Sequence, residues 1–175
     1  MTRKVVVYIA ASLDGYIAGE GDDLGFLEMA TKEGEDYGYA DFMKTIDTVI
    51  LGRRTFDWLL RMNVFAYPGK EVYVVTNQNL ESIEGMQYFC GEPQKLIAQL
   101  QEKPGRNIFC DGGASLIHSL LCENLVDELT ISYLPVLLGK GIPLFSSDRE
   151  KTLLQFVSAK TFDTGLLQIH YKMLK

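Results

Sequence analysis

Val5-Val-Val-Tyr-Ile-Ala-Ala11 is an unbroken apolar run rich in β-branched residues. A strand with one wet face alternates apolar and polar residues; a run with no alternation predicts a strand covered on both faces, the habit of parallel sheets. Further strands follow at Thr48–Leu51, Glu71–Val75, Met86–Phe89 and Asn107–Cys110. Helices are predicted between them. Glu35–Thr45 presents Tyr39, Phe42 and Ile46 at the spacing of one buried stripe. Arg53–Leu60 is a short helix, Pro93 suits the first turn of one reaching Glu102, and Ala114–Cys122 is another. The last third reads as strands only, at Glu128–Val136, Leu153–Phe162 and Leu166–Met173, the final two joined by the glycine-bearing loop Asp163-Thr-Gly165. The fold class is therefore α/β: a mainly parallel mixed central sheet flanked by helices, with a C-terminal antiparallel hairpin. No linker or repeat divides the chain, so residues 1–175 are expected to form one domain.

Composition narrows the function classes. A chain of 175 residues buries roughly 70% of its unfolded surface, enough for a core without staples. Lysine and arginine total 17 against 23 acidic residues, a net charge of −6, and no lysine-rich run offsets it; nucleic acid is a poor partner for such a surface. Cys90, Cys110 and Cys122 make neither an even disulfide set nor a C-x-x-C pair, and with His118 and His170 as the only histidines no metal site is expected. Val5–Ala11 is too short to span a membrane, so the chain is expected to be soluble and cytoplasmic.

Ligands of parallel sheets bind beyond the carboxyl ends of the strands. Three such ends carry glycine-rich or polar sequence: Ser12-Leu-Asp-Gly-Tyr-Ile-Ala-Gly19, Gly52-Arg-Arg-Thr55 and Asp111-Gly-Gly-Ala-Ser115. The last two put small residues where a helix begins, so free backbone N–H groups and the helix dipole can meet a phosphate. Arg53 and Arg54 add fixed positive charge able to grip a phosphate with two hydrogen bonds. Each glycine pair alone fits a plain turn. Two anion-friendly helix starts on one sheet edge point to a nucleotide with more than one phosphate.

These segments resemble the dihydrofolate reductase superfamily. Leu51-Gly-Arg-Arg-Thr-Phe-Asp57 is similar to its glycine-arginine-x-threonine helix start, and Asp111-Gly-Gly-Ala-Ser-Leu116 to its second glycine-pair start. The late strand and loop from Val126 to Phe145 also match, and Ser12–Ala18 resembles the RibD-type branch, the reductase domain of riboflavin biosynthesis. The resemblance implies an NADPH-dependent reductase. Gly52, Arg53, Arg54 and Thr55 would hold the phosphates from one side, and Gly112, Gly113, Ala114, Ser115 and Leu116 from the other. Thr76 and Asn77 would stand beside the adenosine 2′-phosphate, and Ala10 and Ala11 beside the nicotinamide carboxamide. The named activity would be 5-amino-6-(5-phosphoribosylamino)uracil reduction. Dihydrofolate reduction is the alternative enzyme, and a non-catalytic NADPH-binding module the alternative of another class. The partner is then a small heterocyclic substrate. RibD-type reductases also imply a homodimer and single-domain dihydrofolate reductases a monomer; apolar residues such as Leu153, Phe156, Val157 and Phe162 in the late strands favour the homodimer.

Reduction of C=N or C=O needs a proton as well as hydride. Asp14 is one candidate donor, in the loop after the first strand, with a turn role beside Gly15 as its alternative. Glu35 and Asp36 are others, at the helix where dihydrofolate reductases carry their substrate-binding acid, with helix capping as their alternative. Counting back from Phe42 puts Gly38 at the family's acidic position, and counting back from Gly52 puts Asp36 there. Trp58 reads as a core residue with a substrate platform as its alternative, and His118 as surface or core with a catalytic role as its alternative.

Overall fold

In a computed structural model describing residues 2–64, 67–81, 85–147 and 150–175, β1 (Val5–Ser12) lies between two parallel neighbours, β6 (Asn107–Gly112) and β7 (Glu128–Leu134). Val5, Val7 and Ala11 face a core closed by α3 (Pro93–Gln101) and α4 (Ala114–Cys122). Val6 and Tyr8 face the opposite core, closed by α1 (Tyr39–Lys44) and α2 (Arg53–Arg61). Burial on both faces is the physical reason for the unbroken apolar run.

Beyond β6 come β3 (Ile46–Gly52), β4 (Glu71–Thr76) and β5 (Met86–Cys90), all parallel. On the other flank β10 (Leu167–Met173) runs antiparallel to β7, and β9 (Leu154–Thr161) pairs antiparallel with β10 at the edge. The sheet order is β5-β4-β3-β6-β1-β7-β10-β9, the expected parallel body with its terminal hairpin. A separate antiparallel pair joins β2 (Tyr16–Ala18) to β8 (Ile142–Pro143). Strands of three and two residues leave no periodicity to read, and the sequence reading contains neither.

The first helix is shorter than its apolar stripe predicts. Tyr37 (φ 58°) and Gly38 (φ 86°) take left-handed backbone, so regular helix begins only at Tyr39. Ile46, assigned to the stripe, instead opens β3 and is fully buried.

The amino ends of the strands are stapled by the buried Arg3. Its guanidinium donates to Asp47 and Thr48 at the start of β3 and to the carbonyls of Leu100 (3.1 Å) and Arg106 (2.8 Å). Asp47 in turn accepts the Arg106 N–H at 2.5 Å. One end of the sheet is thus tied shut by a satisfied ionic cluster, and the carboxyl end is left to the loops.

Candidate active site

The carboxyl ends of β1, β3, β4 and β6 open onto a cavity of about 590 Å³. Its phosphate-friendly part is built from the two glycine starts. Gly52 caps α2 and Gly113 caps α4 in extended backbone, and neither helix has a side-chain cap, so first-turn N–H groups remain available to a ligand. The two starts touch. A Cβ placed on Gly52 would lie 3.5 Å from the Gly113 nitrogen, and one on Gly113 would lie 3.1 Å from the Thr55 hydroxyl oxygen. Gly52, Arg53, Arg54, Thr55 and Gly113, Ala114, Ser115, Leu116 all line the cavity. Gly112 lies just outside the lining, at φ 116° in a backbone region suited to glycine.

The arginines are held differently. Arg53 Nε donates to Asp57 at 2.7 Å one helical turn on, while its Nη1 is buried without a hydrogen-bond partner. Arg54 reaches across the mouth to Asp22, Nη2 to Oδ1 at 2.6 Å and Nε to Oδ2 at 3.1 Å. A buried, unpaired guanidinium nitrogen beside two uncapped helix starts fits an incoming phosphate oxygen. Asn77 and Ala10 also line the cavity. Thr76 and Ala11 are buried outside the lining, the Thr76 hydroxyl accepting the Gln78 N–H at 3.2 Å.

The proposed proton donors lie elsewhere. Asp14 is exposed: its Oδ1 accepts from the Ser12 hydroxyl (2.6 Å) and Leu138 N–H (3.1 Å), its Oδ2 from Gly139 N–H (2.7 Å). The Ser12 hydroxyl foremost, with those amides, holds its carboxyl below the usual range. It braces the loop after β1 against the loop after β7. Asp36 is also exposed, accepting the N–H groups of Ala40 (2.9 Å) and Gly38 (2.8 Å), which likewise keep it ionised. Glu35 accepts the Tyr37 N–H at 2.8 Å. None of the three lines the cavity; each serves its local backbone.

Two acids do line it: Asp22, paired with Arg54, and Asp111, the penultimate residue of β6. Tyr67, itself buried, donates its hydroxyl to Asp111 Oδ2 at 2.5 Å. Burial raises the Asp111 carboxyl above its usual range, more than the Tyr67 hydrogen bond lowers it. Burial and then the nearby Asp111 charge push the Tyr67 phenol up and the neighbouring Tyr39 phenol up to about 12. The sequence reading quoted Asp111 only as the lead-in to a glycine pair. Its place at a strand's carboxyl end was the available signal; its enclosure by Tyr67 comes from 44 residues away.

Tyr8 and Trp58 supply flat aromatic surface in the lining, beside Leu24 and Leu27. The Tyr8 hydroxyl donates to the Tyr37 carbonyl at 2.7 Å and accepts from Gln168 Nε2 at 2.7 Å, which fixes its ring. Trp58 packs partly on the core and also faces the cavity, so both positions weighed for it from the sequence are met in part. His118 sits away from the site, 2.7 Å from the Ser146 hydroxyl. Among the described residues no group of three or more His, Cys, Asp or Glu is placed to hold a metal, and no helix is long and apolar enough to cross a membrane.

Comparison with known proteins agrees with this architecture. Residues 3–168 match the model of the RibD C-terminal domain. The chain belongs to the RibD C-terminal domain family. YwjB of Bacillus subtilis strain 168, an uncharacterised protein, is 40% identical over 173 residues, 98% of each chain. Among solved structures, a Shewanella sp. PV-4 protein assigned by name to riboflavin biosynthesis superposes at a TM-score of 0.88 with 30% identity, covering both chains completely. A diaminohydroxyphosphoribosylaminopyrimidine deaminase/5-amino-6-(5-phosphoribosylamino)uracil reductase from Thermotoga maritima matches at 0.76 with 15% identity, over 99% of this chain and 57% of that one. Dihydrofolate reductase from Enterococcus faecalis, complexed with NADP(H), matches at 0.70 with 17% identity over the whole of both chains. The last two are likenesses of fold. The RibD-type resemblance read from Ser12–Ala18 agrees with the family match.

Proposed function

We propose that this RibD-family chain is an NADPH-dependent reductase of a flat nitrogen heterocycle, an aminopyrimidine or a pteridine. One observation carries the reading: two uncapped, touching helix starts, the unpaired Arg53 nitrogen and an enclosed acid all face one cavity. A nicotinamide cofactor, when bound, supplies the hydride. Gly52–Thr55 and Gly113–Leu116 would hold its phosphates, with Arg54 and Asn77 toward a 2′-phosphate. Support comes from the NADP(H) complex of the E. faecalis neighbour and the reductase activity in the T. maritima neighbour's name.

Hydride added to the carbon of a C=N or C=O bond leaves the electron pair on nitrogen or oxygen, and that atom takes a proton. Asp111, in the lining and with its carboxyl raised by burial, would give it, with Tyr67 holding the carboxyl in position. Tyr8 and Trp58 would orient the ring and exclude water.

Fluorescence titration tests the cofactor assignment. NADPH is expected to bind at least about tenfold tighter than NADH, ~1.4 kcal/mol, with the gap shrinking in Arg54→Ala. Gly113→Val, whose side chain would press on Thr55, should abolish binding of both while the circular dichroism spectrum is kept. Equal affinity for the two cofactors would remove the 2′-phosphate site. Normal NADPH binding by folded Gly113→Val would remove the phosphate cradle.

A further inference from the structure

The charges around the cavity are unevenly distributed. Among the described residues its lining holds four charged side chains: Asp22, Arg53, Arg54 and Asp111. Both cations stand in the first turn of α2, in the phosphate cradle, and each already faces a carboxylate, Asp57 or Asp22. A cofactor with several phosphates engages this pair. The remaining lining, from Tyr8, Leu24, Leu27 and Trp58 to Asp111, then offers a second ligand aromatic area, apolar area and one acid.

The segment that supplies Asp22, Leu24 and Leu27 to this lining is also the most acidic of the chain. Residues 20–41 carry eight carboxylates, from Glu20 to Asp41, against Lys32 alone. That surplus of seven exceeds the net charge of −6 of the entire protein. Lys32 is itself paired, 2.9 Å from Asp163, and Lys140 across the β2–β8 side is paired with Glu20 at 2.7 Å. Of these carboxylates Asp22 enters the described lining, and the others act on it through the summed field of the segment. A phosphomonoester brings a charge of about −1.5 to −2, and beyond the cradle no cation of the described lining receives it.

Resting on the reductase reading above, we infer that the substrate is an uncharged or cationic heterocycle, and that the cavity discriminates against its phosphorylated form. The chain thereby departs from the phosphoribosyl substrate in the T. maritima neighbour's name. Its specificity comes as much from the lack of a countercharge in the described lining, next to the acidic 20–41 segment, as from attraction.

The test is titration calorimetry on the protein saturated with NADP⁺. The ligands are 5-amino-6-(5-phosphoribosylamino)uracil and the same compound after phosphatase treatment. The dephosphorylated ligand is expected to bind at least about tenfold tighter, and the gap should narrow on going from about 0.01 M to 1 M salt as the Debye length contracts. Glu28→Lys combined with Glu33→Lys, both at exposed positions of that segment and outside the lining, should narrow it as well, leaving the dephosphorylated affinity unchanged. Equal or tighter binding of the phosphorylated ligand overturns the inference while leaving the reductase reading intact. Failure of both ligands to bind overturns the assignment of this heterocycle class. Failure of NADP⁺ and NADPH to bind is separate and overturns the reductase reading itself.

Discussion

Asp111 illustrates how one residue can be placed against its own charge. An exposed aspartate is ionised at neutral pH, whereas this one is enclosed with Tyr67 at a strand end and its carboxyl is raised. A carboxyl raised in the folded state contributes stability below its unfolded pKa of about 3.9 and loses that contribution as pH rises through the folded value. Asp111→Asn keeps the shape and an acceptor for Tyr67 but cannot ionise. Its Tm should therefore exceed that of the unmodified protein at pH 8, by about 2–4 °C for each kcal/mol relieved, and the gain should vanish near pH 4. Turnover should fall by roughly 10²-fold with the lost proton donor. A Tm difference that does not vary with pH, or full activity in the variant, would take the proton-donor role from Asp111.

Helix α1 shows how an element's beginning can mislead. Tyr39 and Phe42 do face the core, but left-handed Tyr37 and Gly38 delay the helix, and Asp36 closes its first turn from outside. Because the backbone N–H groups of Ala40 and Gly38 hold the Asp36 carboxyl below its usual range, its stabilisation is present above the unfolded pKa and lost as pH falls through the folded one. Asp36→Ala should thus lower Tm at pH 7, lose that deficit as pH falls through the lowered folded-state pKa of Asp36, and leave kcat unchanged. Differential scanning fluorimetry across pH, with steady-state rates beside it, checks both. A drop in kcat with Tm intact would return Asp36 to the catalytic candidates.

At the scale of the molecule, the open question is what covers β9. All eight of its residues are exposed, Phe156 at 60% and Leu154 at 40%, with Leu153 at 59% just before it. Its outer edge also presents unpaired backbone groups, which sheets rarely leave bare beside apolar side chains. We propose that a second copy of β9 pairs with it across a twofold axis, continuing the sheet into a symmetric homodimer. Light scattering should give twice 19.7 kDa in dilute solution, and Phe156→Lys should return the single-chain mass. A mass of 19.7 kDa at all concentrations would exclude the pairing.

Local pattern was enough for the parallel sheet, its flanking helices, the terminal hairpin and the two glycine-marked helix starts. Each of these writes its signal within a few neighbouring residues: β-branched runs at Val5–Ala11, a stripe at Leu96, Ile97 and Leu100, glycine beside arginine at Gly52–Arg54. That Asp111 enters the cavity, and Asp14 and Asp36 do not, had no such signature. Asp14, Asp36 and Asp111 are each an aspartate in or beside a glycine-bearing turn, alike in one dimension. Tertiary packing alone separated them, setting Tyr67 against Asp111 and giving Asp14 and Asp36 backbone partners on the surface. The reason is physical: desolvation and hydrogen bonding act across space, and the atoms that impose them on Asp111 come from a loop 44 residues away.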